Sequence, residues 1–326
     1  MRKCICNENS RTNINIGRRE KKMAREKEKL PPKGSIGNRL FDLMVYVLLI
    51  IVVFLCLYPF WNIFIMSIND ASDTVRGGLY LIPRKPTLES YVIVFRNSEI
   101  WSATFVSVAR TIIGTVFSLF FTTLLAYPMS KKDLFGGKII SVFLVFTMYF
   151  GGGLIPYYMA LKSYGLIDSF WVYIIPGGIG VYNMILIRIY MESLPAELEE
   201  SAFLDGASQS TIFFKIVLPL IKPVMATIGL FTAVGQWGSW FDTNLYTYRA
   251  SLKTLQFLLV QILNNYDMGG AKSSTQLLAQ VTKMTAVSST SVRMATAMVA
   301  TIPILIVYPF VQKYFVKGMM IGAVKG

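Results

Sequence analysis

The residues that could do chemistry in this sequence are concentrated in a polar segment, residues 194–223, which lies between two apolar runs. The segment carries closely spaced carboxylates at Glu199, Glu200 and Asp205, and Gly206 follows them directly. Carboxylates can accept charge-assisted hydrogen bonds from basic groups on a partner. The glycine turns the chain, and three small residues allow a second backbone to approach closely: Ser201, Ala202 and Ala207. These residue types fit the physical requirements of a contact with a partner.

The turn and cap residues of this segment predict two short helices that form a compact knob. Pro195 suits the first position of a short helix, and Gly206 is placed to end that helix in a left-handed conformation. Ser208 is the expected N-cap of the second helix, which should end near Pro219 and Pro223.

Catalytic and metal-binding chemistry has few candidates elsewhere. The sequence has no histidine and three cysteines, which removes histidine catalysis and the common zinc sites. It contains neither a paired-carboxylate motif nor the G-x4-G-K-[ST] signature of phosphate-binding loops. We therefore expect that the chain is not an enzyme and has no metal site or cofactor of its own.

The composition is that of a membrane protein with a basic end. Hydrophobic residues make up 54% of the 326 residues, although the formal net charge is +14. Twelve lysines and arginines precede residue 40, against four acidic residues. Because this charge is concentrated in a tail and not spread over a folded face, it does not indicate nucleic-acid binding. We expect residues 1–38 to form a basic cytoplasmic tail that contacts anionic membrane lipid.

Six apolar runs predict an all-α polytopic membrane protein with six transmembrane helices, since about 20 apolar residues cross a bilayer. They are Leu40–Met66, Ala103–Tyr127, Ile139–Leu161, Phe170–Met191, Val224–Trp240 and Met294–Tyr314. Glycines and prolines interrupt the third and fourth runs, which indicates either unwound segments that line a path or close helix packing.

The loops between these runs predict the domain organisation and orientation. The membrane domain covers residues 39–318, with an outer polar loop at residues 241–292 and a cytoplasmic C-terminal tail at residues 319–326. Basic residues are concentrated on one side of the predicted spans. The positive-inside rule therefore places both termini and the 194–223 segment in the cytoplasm.

The 194–223 segment also has a distinctive spacing. From Glu200 to Pro219 it reads E-S-A-x3-G-x9-I-x-L-P, in which Ser201 departs from the usual E-A-A. This pattern resembles the EAA loop of permease subunits in bacterial ABC importers. With six spans and the C-terminal KYFVKGMMIGAVKG, the chain resembles carbohydrate permeases of the maltose-transporter G-subunit type. The resemblance implies the type I ABC importer permease fold.

In that family the EAA loop docks in a cleft of the ATPase subunit, and the resemblance gives this role to seven residues. They are Glu199, Glu200, Ser201, Ala202, Asp205, Gly206 and Ala207. The implied partners are a second homologous permease, an ABC ATPase dimer that binds the ATP and magnesium, an extracytoplasmic solute-binding protein and an oligosaccharide substrate. The implied location is the bacterial cell membrane.

An oligosaccharide path requires aromatic faces and planar polar groups in a cavity between helices. Residues of these types are Arg110, Tyr149, Asn183, Gln236, Trp237, Trp240 and Phe241. The aromatic members could equally form an interfacial belt, and Arg110 could extend outward to the membrane surface. If Arg110 faces the path, an acidic sugar becomes a candidate substrate. The run from Tyr149 to Pro156 resembles the branch that handles larger oligosaccharides.

The outer loop contains a turn-rich run that should form a protruding tip and contact the binding protein. Its residues include Asn264, Asn265, Tyr266 and Asp267. The alternative is a solvated connector without a partner, although loops of this length are usually functional or disordered.

Two other functions fit the sequence less well. A secondary transporter or channel is disfavoured because the predicted spans contain no embedded acid apart from Asp42, at the start of the first span. A membrane enzyme is disfavoured because histidine and nucleophile motifs are absent from the sequence.

Overall fold

The computed structural model describes residues 36–74, 76–78, 81–267 and 289–323. Side chains are described over the same ranges, except at residues 36–38, 265–267, 289, 308 and 310–323. The predicted basic tail therefore lies almost entirely outside the described residues. The chain divides into two compact units, Met1–Trp61 and Asn62–Gly326.

The described residues are helical, and no β-strand occurs among them. The described residues of the first unit belong to α1 (Ile36–Ser67). The second unit contains α2 (Ala71–Thr74), α3 (Glu89–Arg96), α4 (Ser98–Met129), α5 (Gly137–Tyr149), α6 (Leu154–Ser163), α7 (Val181–Glu192), α8 (Glu197–Leu204), α9 (Gln209–Ile212), α10 (Leu218–Leu220), α11 (Lys222–Gly238), α12 (Phe241–Tyr246), α13 (Leu255–Asp267) and α14 (Ser289–Ala323). Short 3-10 helices occur at Phe170–Tyr173 and Ala250–Leu252, and a π-helical turn occurs at Phe213–Val217.

Three expected spans are single helices that are long and apolar enough to cross a membrane. They are Arg39–Ser67 in α1, Ser98–Met129 (α4) and Thr290–Val307 in α14. The third expected span is a bent pair, in which α5 and α6 meet at 115°. The fifth expected span, α11, forms a second pair with Gln209–Leu220, bent by 76°. The described residues thus give up to five crossings, and the count of six stays a prediction.

The fourth expected span, Phe170–Met191, is not one continuous helix. It consists of the 3-10 helix, a non-helical stretch around Pro176, and α7 with 12 residues. Proline lacks a backbone donor and glycine disfavours helix, so the Pro-Gly-Gly run interrupts it. Gly178 also packs tightly, because a Cβ at this position would lie 2.6 Å from the Phe117 ring. The expected interruption is confirmed, both here and at the bend between α5 and α6.

The packing of the second unit is built on α4, which contacts α7, α11 and α13. Its buried face consists largely of small residues at helical spacing: Ala103, Ser107, Gly114, Ser118, Thr122 and Ala126. Small residues allow helix backbones to approach closely within a membrane. In the contact between α4 and α11, each helix has a glycine that packs tightly against a side chain of the other. A Cβ on Gly114 would lie 2.8 Å from Gln236 Nε2, and one on Gly229 would lie 3.0 Å from Leu119 Cδ1.

The region after α11 differs from the polar loop that we expected over residues 241–292. It contains α12 and α13, and four α13 side chains are buried: Leu255, Leu258, Leu259 and Ile262. Their spacing of i, i+3, i+4 and i+7 is that of one helix face. The apolar run that contains them, Leu255–Asn264, is too short to cross a membrane. The outer-loop assignment stays a prediction, but residues 255–262 form a packed helix within it, because this face packs with residues of α3, α4 and α14.

The last helix is longer than the expected span Met294–Tyr314 at both ends, since α14 runs from Ser289 to Ala323. Residues 319–323 of the predicted C-terminal tail continue this helix, so no helix end marks the expected boundary after residue 318. Residues 324–326 lie outside the described residues.

The packing of α13 can be tested with two leucines on the same helix. Leu258→Ala should lower the free energy of unfolding by about 2–5 kcal/mol, because it leaves a cavity in the core. Leu263→Ala should change it by about 0.5 kcal/mol or less, because surface substitutions have small effects. The two side chains are 4% and 37% exposed, respectively. Thermal unfolding of the purified chain in detergent measures both variants, and equal losses would contradict this packing.

Candidate functional site

Arg110 is the centre of a polar cluster inside the second unit. It lies on α4, is 2% exposed, and makes a bidentate ion pair with Asp242, at 2.6 Å from Nη2 to Oδ2 and 3.2 Å from Nη1 to Oδ1. Its guanidinium also lies 4.3 Å from the centre of the Tyr173 ring. Burying an unpaired charge is costly, so this geometry holds the arginine as a compensated ion. Arg110 therefore does not extend outward to the membrane surface.

Gln236 completes the enclosure of Arg110. Its Oε1 accepts hydrogen bonds from Arg110 Nε at 3.2 Å and Nη2 at 3.0 Å, and its Nε2 donates to the Tyr173 carbonyl at 3.3 Å. The Ser239 carbonyl accepts from Arg110 Nη1 at 3.4 Å. Gln236 fits here because Gly114, one turn after Arg110 on α4, leaves room for its amide. The cluster thus joins α4, the end of α11 and the unwound fourth run.

A cavity of about 340 Å³ opens beside this cluster. Its lining combines charged, hydroxyl and aromatic side chains with backbone at the unwound fourth run: Arg110, Tyr157, Val172, Tyr173, Pro176, Gly177, Thr232, Gly235, Gln236, Ser239, Asp242 and Tyr246. The hydroxyl oxygen of Thr232 is buried and has no hydrogen-bond partner among the described residues. Aromatic faces with unpaired hydroxyls and planar amides are the groups that hold a sugar ring.

A short loop fixes the Tyr246 side of the cavity. The Asp168 carboxylate accepts hydrogen bonds from the backbone N–H groups of Arg249 at 3.0 Å and Tyr248 at 2.9 Å, and its own backbone N–H donates to the Tyr246 carbonyl at 2.8 Å. It also pairs with the Arg249 side chain at 2.9 Å. The two backbone bonds, from Arg249 first, hold the pKa of Asp168 below its usual value. The end of α12 is therefore tied to the loop before the fourth run.

Of the residues predicted for the substrate path, the cavity is lined by Arg110 and Gln236. Trp237 is buried on another side, where its Nε1 donates to the Ala300 carbonyl at 2.9 Å, and it lines an apolar cavity between α4, α11 and α14. The other predicted residues do not line the polar cavity: Tyr149 at the end of α5, Asn183 on α7 beside Gly180, and the edge-to-face pair of Trp240 and Phe241. Trp237 thus has a packing role in the helix core.

Asp242 is the site residue that sequence reasoning missed. It lies beyond the apolar run and was assigned to the outer loop, yet α12 brings it back onto Arg110. The arginine within an apolar run was the signal that could have pointed to Asp242, because a buried cation requires an anion nearby. Tyr157 and Tyr173 were also missed, since nothing in their spacing distinguishes them from an aromatic belt.

The predicted Gly206 turn and Ser208 cap of the 194–223 segment are confirmed, whereas Pro195 precedes the Ala196 N-cap and is not the first helical residue. α8 (Glu197–Leu204) ends with Gly206 in the left-handed conformation at φ +82°, and the Ser208 hydroxyl accepts from the Thr211 N–H at 3.3 Å. The second helix continues through α9, the π-helical turn and α10 to Leu220, close to the expected end. The segment is therefore a structured knob between α7 and α11.

One face of this knob is bound to the end of α4. Glu199 forms an ion pair with Lys131, and Lys131 Nζ lies 4.3 Å from the centre of the Tyr127 ring. The Tyr127 hydroxyl donates to Gln209 Oε1 at 2.9 Å and lies 3.4 Å from Glu199 Oε2. Ala202 and Ala207 pack against the same hydrophobic cluster. Three of the predicted docking residues, Glu199, Ala202 and Ala207, therefore face the chain's own core.

The opposite face of the knob is open. Glu200, Ser201, Asp205 and Gly206 are exposed. Two large apolar side chains that sequence reasoning did not single out are exposed with them, Phe203 at 63% and Leu204 at 85%. An apolar pair rimmed by carboxylates is typical of a protein-docking surface.

The residues predicted to contact a binding protein lie at the end of α13. Asn264 is exposed on this helix, and Asn265–Asp267 are its last three residues, so the expected turn begins no earlier than residue 268. The side chains of Asn265, Tyr266 and Asp267 and the remainder of the predicted tip lie outside the described residues.

Comparison with known proteins finds transport permeases that are similar to this chain. No family model matches the chain. It is 39% identical over 290 residues to the polygalacturonan/rhamnogalacturonan transport system permease protein YtcP of Bacillus subtilis (strain 168), covering 89% of this chain and 99% of that protein. Permeases of this kind are non-catalytic transport subunits, in agreement with the absence of catalytic motifs from the sequence.

Two solved structures share the fold. One is a chain of a bacterial ABC transporter that imports the acidic polysaccharide alginate, with a TM-score of 0.79, 31% identity, and coverage of 87% of this chain and all of that one. The other is a chain of a bacterial alginate ABC transporter in complex with a periplasmic protein bound to alginate pentasaccharide. Its TM-score is 0.52, with 15% identity and coverage of 84% and 93%, so it shows likeness of fold alone.

The ion pair in the polar cluster can be tested against a surface pair of the same type. Asp242→Ala leaves the Arg110 charge buried and uncompensated, and it should lower the free energy of unfolding by about 3–5 kcal/mol. Glu192→Ala breaks the ion pair with Arg188, in which the arginine is 33% exposed and the glutamate 42%. This change should lower the free energy of unfolding by about 0–1 kcal/mol. Thermal unfolding in detergent compares them. The double variant Arg110→Met with Asp242→Leu should recover most of the loss. Equal losses for Asp242→Ala and Glu192→Ala, with no recovery in the double variant, would contradict a compensated charge.

The fit of Gln236 against α4 gives a second test. Gly114→Ala forces the Gln236 amide to move and to give up its bonds to Arg110 and Tyr173, which should cost about 1–3 kcal/mol. Gly235→Ala is the matched control, because no atom lies within 4 Å of a Cβ built there. The control should be neutral or stabilising, since alanine is the better helix former. Denaturation midpoints of the two variants would coincide if Gly114 were not required for this contact.

Proposed function

The chain belongs to the permease subunits of ABC sugar importers, and on that premise we propose that it passes an oligosaccharide across the bacterial cell membrane by alternating access, coupled to a partner ATPase through residues 194–223. In this proposal an extracytoplasmic binding protein delivers the substrate, and a second homologous permease completes the path. ATP and magnesium bind to the ATPase dimer. Both termini and the knob face the cytoplasm.

The observation that carries the proposal is the position of α4. This 32-residue helix holds the Tyr127 contact with the knob near one end and Arg110, in the polar cavity, seventeen residues away. At 1.5 Å per residue these positions are about 26 Å apart along one rigid element. A displacement of the knob by the ATPase would therefore act directly on a wall of the cavity.

The outward face of the knob supplies the docking chemistry. Leu204 and Phe203 offer apolar contact area, while Glu200 and Asp205 offer acceptors to basic groups of the ATPase. On the inward face, the Glu199–Lys131 pair and the Tyr127–Gln209 bond attach the knob to α4. Docking and transmission are thus carried by different faces of one small element.

The polar cavity is the candidate segment of the substrate path. Its volume of about 340 Å³ is at the small end of ligand pockets and suits one sugar ring of a passing chain. Tyr157 and Tyr246 supply aromatic faces, and Thr232 supplies a hydroxyl. Because Asp242 already neutralises Arg110, and Gln236, Ser239 and Asp242 together accept from all of its N–H groups, the arginine offers a substrate no net positive charge. The cavity itself therefore does not select an acidic sugar.

Membership of this family also argues against a secondary transporter or channel. The Arg110–Asp242 pair supplies an acid near the predicted span, but both groups bond to each other and to Gln236 or Ser239. A proton relay would need an acid that is not held in an ion pair.

The coupling role can be tested with the exposed half of the knob. Glu200→Lys should leave membrane insertion intact and reduce substrate-stimulated ATP hydrolysis of the assembled importer by at least about tenfold, the effect of losing one charged docking contact. Gly206→Arg should do the same, because its φ of +82° disfavours a side chain and the arginine adds bulk at the interface.

Lys222→Glu is the matched control, an exposed charge reversal in the same segment outside the α8 surface. It should retain the stimulated ATPase rate. If Glu200→Lys and Gly206→Arg both assemble and hydrolyse ATP like the parent, the knob does not couple this chain to an ATPase.

A further inference from the structure

A basic groove lies on the same face of the second unit as the knob. It has a volume of about 900 Å³ and is formed by the end of α4, the loop of residues 130–136, the start of α5 and α7. Its lining residues are Met129, Lys131, Lys132, Leu134, Gly136, Gly137, Lys138, Ile139, Ser141, Val142 and Arg188. The Lys131–Glu199 ion pair fixes the groove next to α8. It is separate from the polar cavity around Arg110.

The groove has an excess of positive charge. Its lining includes three lysines and an arginine but no aspartate or glutamate. Two of these cations are compensated from outside, Lys131 by Glu199 and Arg188 by Glu192. Lys132 and Lys138 are exposed, and neither takes part in an ion pair within the part of the chain that the structure describes.

Arg188 is held in place at the lining of the groove. Its Nε donates to Glu192 Oε1 at 2.7 Å, and its Nη1 donates to Ser141 Oγ at 3.0 Å across the groove, from α7 to α5. These bonds fix the guanidinium, so less side-chain entropy is lost when an anion binds beside it. Asp133 is exposed in the adjoining loop and is not part of the lining.

The groove continues into an apolar surface. Ile139 and Val142 line it and are 77% and 70% exposed, and Phe143 and Phe146 extend the same exposed character along α5. α5 has no buried residue. A ligand that matches both parts has an anionic head beside the lysines and hydrocarbon along α5.

We propose that this groove binds the phosphate headgroup of an anionic phospholipid, with the acyl chains lying against α5. The charge selects an anion, and the adjoining exposed isoleucine and phenylalanines select hydrocarbon in place of water. An acidic protein surface would satisfy the lysines and leave the apolar face of α5 uncovered. A free phosphate would leave it uncovered as well. The amphipathic ligand is the one that covers the whole surface.

The site should weaken specifically when its two free lysines are removed. In native mass spectrometry of the purified full chain, dioctanoyl phosphatidylglycerol should bind more tightly than dioctanoyl phosphatidylcholine. Lys132→Gln with Lys138→Gln should weaken phosphatidylglycerol binding by about 30-fold, the loss expected for two lysines near an anionic lipid. Binding of phosphatidylcholine should not change.

Lys215→Gln with Lys222→Gln is the matched control, since both lysines are exposed in the 194–223 segment and the change in net charge is the same. This control should keep the parent affinity. A loss equal to that of the groove variant would show that overall positive charge, and not the groove, explains the binding. Competition by inorganic phosphate alone would show a soluble-anion site. A photo-crosslinker at position 138 that captures the ATPase in the assembled importer, and no lipid, would show a protein contact. Each of these results would overturn the proposal.

Discussion

The structure of the second unit depends on compensating one charge, the guanidinium of Arg110, inside a bundle of apolar helices. A regular helix presents no free backbone acceptors and few anions to such a group. The chain provides partners for Arg110 where its helices are interrupted. The Ser239 carbonyl and the Asp242 carboxylate follow the end of α11, and the Tyr173 ring lies in the 3-10 turn of the fourth run. The helix interruptions therefore supply the groups that allow Arg110 to be buried.

The same helix that buries Arg110 also sets how closely its neighbours can approach. Gly114 admits the Gln236 amide, and the other small residues of the stripe let α7 and α11 lie against α4. A packed stripe of this kind moves as a unit, since small residues leave no long side chains to absorb a displacement. α4 is thus suited to carrying movement between the knob and the cavity.

Local features of the fold were readable from the sequence, and features that depend on distant partners were not. Gly206 and Ser208 act through their own turns, so their roles followed from residue type and position. The packed face of α13 was not predicted because its apolar run, Leu255–Asn264, is too short to be a membrane span. The inward orientation of Glu199 and the return of Asp242 depend on contacts 68 and 132 residues away in sequence. The family resemblance identified the docking segment but not which of its faces is free.

The length of α4 has a consequence for the environment of its two ends. Its 32 residues correspond to about 48 Å, while the hydrocarbon core of a bilayer is about 30 Å thick. A typical tilt of about 20° shortens the crossing by only a few ångströms, so a substantial part of the helix stands in the headgroup layer or in water. The end bearing Tyr127 and Lys131 adjoins the polar knob, whereas Arg110 lies well inside the helix. Dissolved ions can therefore screen the Lys131–Glu199 attraction, while the Arg110–Asp242 attraction is shielded from ionic strength. One end of α4 and its interior are therefore in different electrostatic environments.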